Sequence, residues 1–197
     1  MTVLLATPWR PEYPIETPRL VLRPHTRDDL DDLVEFHSDP EVVQYIPWPV
    51  RTREQTRVAL EAKLDRGEVT AEGQWLILAI VLRDDREGPT GTVIGEVLLK
   101  CASIERGEAE LGYALHAGYH RRGLAFEAAS AMLAFGTAPV SDGGAGLRRI
   151  TATLDERNGA SARLLERLGM TLAGSGKAIF KGEPVVELTY ALEVGAS

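Results

Sequence analysis

The tightest constraint on this chain is the run Tyr119-His120-Arg121-Arg122-Gly123-Leu124-Ala125-Phe126-Glu127-Ala128, which sets two arginines and a glycine between a predicted strand and a predicted helix. Upstream, Glu108 to Leu115 alternates, with Ala109, Leu111, Tyr113 and Leu115 on one face and Glu108, Glu110, Gly112 and Ala114 on the other, as in a strand. Downstream, Leu124, Ala128, Ala131, Met132 and Phe135 recur at helical spacing. The loop therefore feeds a helix N-terminus, whose unpaired N–H groups and positive partial charge suit a phosphate. Gly123 lets the backbone come close, and Arg121 and Arg122 add charge.

Composition removes several function classes. A length of 197 residues suits one domain with its own core, and 44% hydrophobic and 26% charged residues are ordinary for a soluble globular protein. A net charge of -7 argues against nucleic acid held by a general positive field, yet leaves room for an anion at one basic loop. The single cysteine, Cys101, excludes an internal disulfide and fits a reducing, cytoplasmic setting. The short apolar run Val3-Leu4-Leu5-Ala6 has no basic flank and does not read as a signal peptide. No apolar run approaches the roughly 18 residues of a membrane span, so no membrane partner is expected.

Three prolines within residues 1–14 favour an extended N-terminal arm over a helix or strand, leaving 15–197 as a single domain. Thr26 is the expected cap of a first helix ending near His37, and Asp39-Pro40 starts a short second one. Thr52-x-x-Gln55 reads as a capping box for a third helix, running through Arg66 to a stop at Gly67. Trp75 to Leu82 is apolar without alternation and reads as a central strand covered on both faces. It turns through residues 83–91 into an antiparallel partner, Thr92 to Leu99, in which Gly95 marks a bulge. Residues 139–146, with Asp142-Gly143-Gly144, read as the most flexible internal loop. A strand at Leu147 to Leu154, a short helix from Asn158 to Gly169 and two closing strands complete an α+β fold. Its sheet is central, mixed and mostly antiparallel, flanked by helices.

Two motifs in this order resemble the GNAT acetyltransferases: His120-x-x-Gly123-x-Ala125 is similar to that family's pyrophosphate loop, and Asn158-x-x-Ser161-x-x-Leu164-Leu165 to its later helix segment. The opening Ile15-Glu16-Thr17-Pro18-Arg19-Leu20-Val21-Leu22-Arg23 resembles the ribosomal-protein N-acetyltransferase branch. The resemblance implies acetyl-CoA as cosubstrate, no metal, and transfer of acetyl to a primary amine by direct attack on the thioester. The amine would belong to a protein or peptide N-terminus or to a small molecule, and a homodimer is one assembly open to the chain. It implies that the backbone of Arg121, Arg122, Gly123, Leu124, Ala125 and Phe126 holds the pyrophosphate. It also implies that the strand at Tyr113 and Leu115 splays from its neighbour to meet the pantetheine arm. Asn158 and Ser161 would face the thioester, with Ser161 as proton donor; the tyrosine acid that some relatives place one turn on is Leu165 here.

The residues themselves leave alternatives open. Asn158 is also a natural N-cap. Tyr45 and Trp48, stiffened by Pro47 and Pro49, read equally as acceptor contacts or as core caps. Glu110 is the best general-base candidate, with Glu108 on its face and Glu96 on the preceding strand, though a solvated role is the default for any one of 29 acidic residues. The histidines lack metal-ligand spacing. Neither Gly-x-x-x-x-Gly-Lys-Ser/Thr nor Gly-x-Gly-x-x-Gly occurs, which argues against nucleotide binding. A non-catalytic acetyl-CoA sensor is the alternative to an enzyme.

Overall fold

The computed structural model describes residues 4–83 and 91–195; the middle of the expected turn at 83–91 lies outside them. Where the prolines suggested an arm without strand structure, Leu4–Trp9 forms strand β1, paired antiparallel with β4 (Val69–Ala71) in a small separate sheet. The register jumps between Leu4 and Trp9, and Pro8 falls within that irregular stretch, where a missing backbone donor costs least. Trp9 is 4% exposed and packs with Val69 in the main core, so burial holds the segment in place.

The other strands form one eight-stranded sheet: β2 (Ile15–Glu16), β3 (Leu20–Pro24), β5 (Trp75–Leu82), β6 (Val93–Ser103), β7 (Glu108–Leu115), β8 (Arg149–Asp155), β9 (Thr171–Phe180) and β10 (Glu183–Glu193). Their order is β2-β3-β5-β6-β7-β8-β10-β9, and only β7 and β8 pair in parallel. Among the described residues five α-helices flank it: α1 (Leu30–Ser38), α2 (Pro40–Val43), α3 (Arg53–Glu61), α4 (Leu124–Thr137) and α5 (Gly159–Arg167). Among the described residues no helix is long and apolar enough to cross a membrane.

The period of two sorts side chains between the faces. Leu78, Ile80, Leu99, Leu111 and Leu115 join Leu124, Ala128 and Met132 of α4 and Leu165 of α5 in one cluster. Ala79, Val81 and Val93 face the other way and meet Leu33 and Phe36 of α1 and Leu60 of α3. This explains the unbroken apolar run in β5: a strand covered on both faces has no polar side to show.

Local signals fixed most helix starts. Thr26 and Asp29 form a capping box before α1, and Thr52 and Gln55 do so for α3. α3 ends earlier than expected, at Glu61, and continues as turns in which Lys63 N–H bonds Leu60 O and Arg66 N–H bonds Lys63 O. Those turns bring Lys63 into the core, where it is 9% exposed against Glu96. Instead of a loose segment, residues 139–146 form a bonded turn, with Ala145 N–H to Phe135 O and Gly146 N–H to Ala138 O.

The bulge expected at Gly95 is present, as the β5 register shifts from Ile80↔Gly95 to Val81↔Val93. A Cβ on Gly95 would stand 2.2 Å from Ala114 O and 2.8 Å from Leu115 Cδ2. Gly95→Ala should therefore force β6 and β7 apart and cost roughly 1–3 kcal/mol of stability. The measurement is a lowered urea midpoint at unchanged slope.

Candidate active site

β7 and β8 are paired at only three positions, Glu108↔Arg149, Ala109↔Ile150 and Glu110↔Thr151. Beyond them β7 stays on β6 as far as Gly95↔Leu115, while β8 follows β10 to Glu187↔Asp155. The sheet therefore forks, and from Leu111 to Leu115 β7 has a strand partner on its β6 side alone. The fork is bridged by side chains. Tyr113 of β7 and Ser161 of α5 share a hydrogen bond, Oη to Oγ 2.7 Å. Ser161 is held by its backbone, which donates N–H to Asn158 Oδ1 at 3.1 Å. Asn158 thus caps α5 and orients Ser161 with one contact. Burial pushes the Tyr113 phenol up to about 12, against a smaller lowering by the bond to Ser161, so it is neutral and able to donate.

At the fork's open end lies the Arg-Arg-Gly loop. Arg121 (φ 61°) and Gly123 (φ 76°) both take left-handed dihedrals, which bend the chain sharply into α4. A non-glycine residue there is strained, and such strain gathers at binding sites. Glu127 N–H bonds Gly123 O, which leaves the N–H groups of Leu124, Ala125 and Phe126 as the free first turn of α4. His120 ties the start of the loop to the strand, Nε2 lying 2.9 Å from Leu115 O.

A clamp from the turn between β2 and β3 holds this loop from behind. Arg19 Nε donates to Glu127 Oε2 at 2.7 Å and Arg19 Nη1 to Arg122 O at 2.8 Å. Arg19 N–H and the Thr17 hydroxyl both donate to Glu127 Oε1, at 2.8 and 2.6 Å. Burial alone would raise the Glu127 carboxyl, but the bonds from Thr17 and Arg19 outweigh it and hold it low.

On the α1–α3 side, Tyr45 and Trp48 stand where α2 meets two later segments. Tyr45 Oη lies 3.5 Å from Arg157 O, and Lys181 Nζ, at the β9–β10 turn, donates to Val43 O at 2.6 Å. Trp48 is half-buried against His37, their ring centroids 6.0 Å apart. Glu110, at the last β7–β8 pair, accepts the Thr153 hydroxyl at 2.9 Å, next to the closed end of the fork. Glu108 pairs instead with Arg106. Glu96 is 4% exposed, in contact with Lys63 Nζ and 3.1 Å from His25 Nε2. Burial would raise its carboxyl, yet those cations and bonds hold it far below the usual carboxylate range.

A forked sheet, a strained basic loop and a free helix start in this chain order have a known counterpart. The sequence model of the family described as "Acetyltransferase (GNAT) domain" matches residues 19–171. The chain belongs to the GNAT acetyltransferases. This GNAT chain is 30% identical over 159 residues to the uncharacterized N-acetyltransferase p20 of Bacillus licheniformis, covering 80% of this chain and 82% of p20. It superposes on the GNAT-family acetyltransferase of Bacillus anthracis with a TM-score of 0.74 at 28% identity, covering 90% and 96% of the two chains. RimL, a ribosomal L7/L12 α-N-protein acetyltransferase solved with coenzyme A, shares the fold at a TM-score of 0.72 and 19% identity, covering 92% and 97%.

Within the GNAT frame, the residues expected from sequence fall into three groups. Tyr113, Asn158 and Ser161 come together at the fork, and Leu115 sits at its end. Arg121 to Phe126 form the loop and first turn of α4. Tyr45 and Trp48 stand on the α1–α3 side, and Glu110 lies at the closed end. Sequence reasoning missed the Arg19–Glu127 clamp, whose partners are 108 residues apart, and the Tyr113–Ser161 pairing. It also missed the depth of Glu96, for which a carboxylate within the apolar run Val93 to Leu99 was the available signal. Arg19→Met keeps the backbone bond to Glu127 and removes the side-chain ones. It should weaken binding of a pyrophosphate probe at the loop roughly tenfold, ~1.4 kcal/mol, while the thermal midpoint moves little. Calorimetric titration reads the affinity.

Proposed function

We propose that the protein is an acetyl-CoA-dependent N-acetyltransferase acting on a primary amine, of a protein or peptide N-terminus or of a small molecule. The observation that carries this reading is the Tyr113–Ser161 hydroxyl pair spanning the fork beside a free helix N-terminus. The donor set fits acetyl-CoA: the N–H groups of Leu124 to Phe126, with Arg121 and Arg122, hold the pyrophosphate, and Gly123 presents no Cβ there. The edge of β7 left open from Leu111 onward can pair with the pantetheine amides, and its N–H groups can stabilise the oxyanion.

Acetyl-CoA supplies the activated thioester, to whose carbonyl carbon the amine nitrogen bonds as the C–S bond breaks. Ser161 Oγ hands its proton to the departing thiolate and takes another from Tyr113 Oη, whose raised pKa draws a proton back from water once the products leave. Tyr113 thus places a phenol at the fork from the strand side, while Leu165 occupies the helix position at which some relatives carry one. Glu110 takes the amine proton through water. Glu96 makes a poor base, because Lys63 and His25 already hold its charge.

Titration calorimetry tests the reading: acetyl-CoA should bind more tightly than ATP or NAD, and tighter binding of ATP would sink it. A sensor without catalysis would bind acetyl-CoA yet acetylate none of a panel of amines. Ser161→Ala should lower kcat by about 10²-fold or more while acetyl-CoA affinity stays within about threefold, because the proton is needed only as the bond breaks. A fall in affinity alone would make Ser161 a binding residue.

A further inference from the structure

The α1–α3 face of the sheet contains charge where a core would ordinarily be apolar. Asp29 takes both Arg23 guanidinium nitrogens at 2.9 and 2.7 Å, Glu96 takes Lys63, and His25 lies between the two carboxylates. Arg23 and Lys63 balance those two carboxylates. Arg51 is left over, with no carboxylate partner among the described residues. Its guanidinium lies over Trp48, Cζ 4.6 Å from the ring centroid, and its Nη1 is buried without a hydrogen-bond partner.

The neighbouring polar atoms are in the same condition. Trp48 Nε1 and both ring nitrogens of His37 are buried and unpartnered. His37 is 0% exposed, sits edge-on to Trp48, and accepts Arg51 N–H at its backbone oxygen, 3.1 Å away. Lys63 Nζ lies 5.8 Å from the same indole centroid. Burial, then the charges of Lys63 and Arg51, push His37 down to about 4, so at neutral pH its ring offers one donor and one acceptor. A buried donor without a partner is destabilising, and a group rich in lone pairs would relieve it. A guanidinium N–H, an indole N–H and an imidazole N–H around one unbalanced positive charge match a carboxylate.

The position suits an acceptor. Glu96, which holds Lys63 here, is the register partner of Ala114, on the strand whose far edge opens into the fork. Ala114 faces α1 and α3 while Tyr113 beside it faces α4 and α5, so the charges lie across β7 from the Tyr113 hydroxyl. We propose that Arg51, Trp48 and His37 form a subsite for a carboxylate carried by the amine acceptor. This rests on the reading above that the Tyr45–Trp48 wall faces the acceptor. The acceptor class is then an amine with a carboxylate a few bonds away, in a small amino acid or in a peptide with an acidic residue behind its N-terminus.

Two arms separate those sources: ω-amino acids of increasing length against their amides, and peptides beginning Ala-Asp against Ala-Asn, each with acetyl-CoA. In at least one arm the acid should be acetylated with kcat/KM about tenfold or more above its neutral partner. Arg51→Gln should bring that ratio to within about threefold while acetyl-CoA affinity is unchanged; a merely structural role would lower both acceptors alike. Trp48→Phe, which keeps an aromatic face for Arg51 but loses the indole N–H together with the five-membered ring, gives a second reading if Arg51→Gln fails to fold. Ratios near one in both arms, or a ratio unmoved in both variants, overturn the proposal. Succinate titrated onto the free protein reads the pocket without any acetyl transfer. It should shift the His37 ring and Trp48 Nε1 resonances, and no shift at millimolar succinate also overturns the subsite. Succinate binding in a protein that ignores acetyl-CoA would uphold the carboxylate site and sink the transferase reading.

Discussion

The parting of β7 from β8 is the constraint on which the site depends. Parallel neighbours exchange evenly spaced hydrogen bonds, and here that exchange stops after Glu110↔Thr151. Each strand keeps its outer partner, β7 on β6 and β8 on β10, so two half-sheets stay continuous while the seam between them opens. An open seam leaves backbone donors and acceptors unpaired inside a domain, a costly arrangement unless something pairs with them. Tyr113 and Ser161 close the seam through a hydroxyl contact that can be broken and remade.

The loop at the open end is stiffened by the start of the chain's main sheet. Glu127 lies in the first turn of α4, where a carboxylate is favoured by the helix dipole. It spends that carboxylate on Thr17 and Arg19, while Arg19 also holds Arg122 O. The strained left-handed residue Arg121 and the glycine at 123 are thereby anchored to the turn between β2 and β3, and the first-turn N–H groups are kept pointing from a fixed frame. Preorganised donors of this kind lose little entropy when a phosphate arrives. The family match begins at residue 19, the residue that makes the clamp.

What could be read from sequence follows from range. Caps at Thr26, Thr52 and Asn158, the stop at Gly169 and the alternation of β7 are local, and each is where its residue types place it. The bulge at Gly95 was legible because glycine within a strand has few other uses. The N-terminal strand was not, because Leu4–Trp9 pairs with Val69–Ala71 some sixty residues away, and the prolines spoke only for local preference. The end of α3 was missed for a similar reason: nothing in Glu61 to Arg66 announces that Lys63 must turn inward to meet a carboxylate on a later strand. At the site, the loop and the Asn158–Ser161 pair were legible as motifs, whereas the hydroxyl partner of Ser161 and the Arg19 clamp depend on tertiary approach alone.

The charges under Trp48 show the same logic applied to stability. A paired buried ion is often no more stabilising than an apolar residue of its size, because desolvation offsets the attraction. Glu96 and Lys63 together could therefore be matched by apolar residues as far as folding is concerned, whereas a leucine at 96 alone would leave Lys63 buried without its counter-charge; what the pair secures is position. Glu96 holds Lys63 beneath the indole and keeps His25 between two carboxylates, whose bonds raise that imidazole despite its burial. Burial, and after it the positive charge at Lys63 and Arg51, disfavours a proton on His37, which stays neutral. The network, anchored by Glu96 on the strand next to the one bearing Tyr113, thus fixes the protonation states and places of donors on α1 and the segment before α3 that the fold itself leaves unpaired.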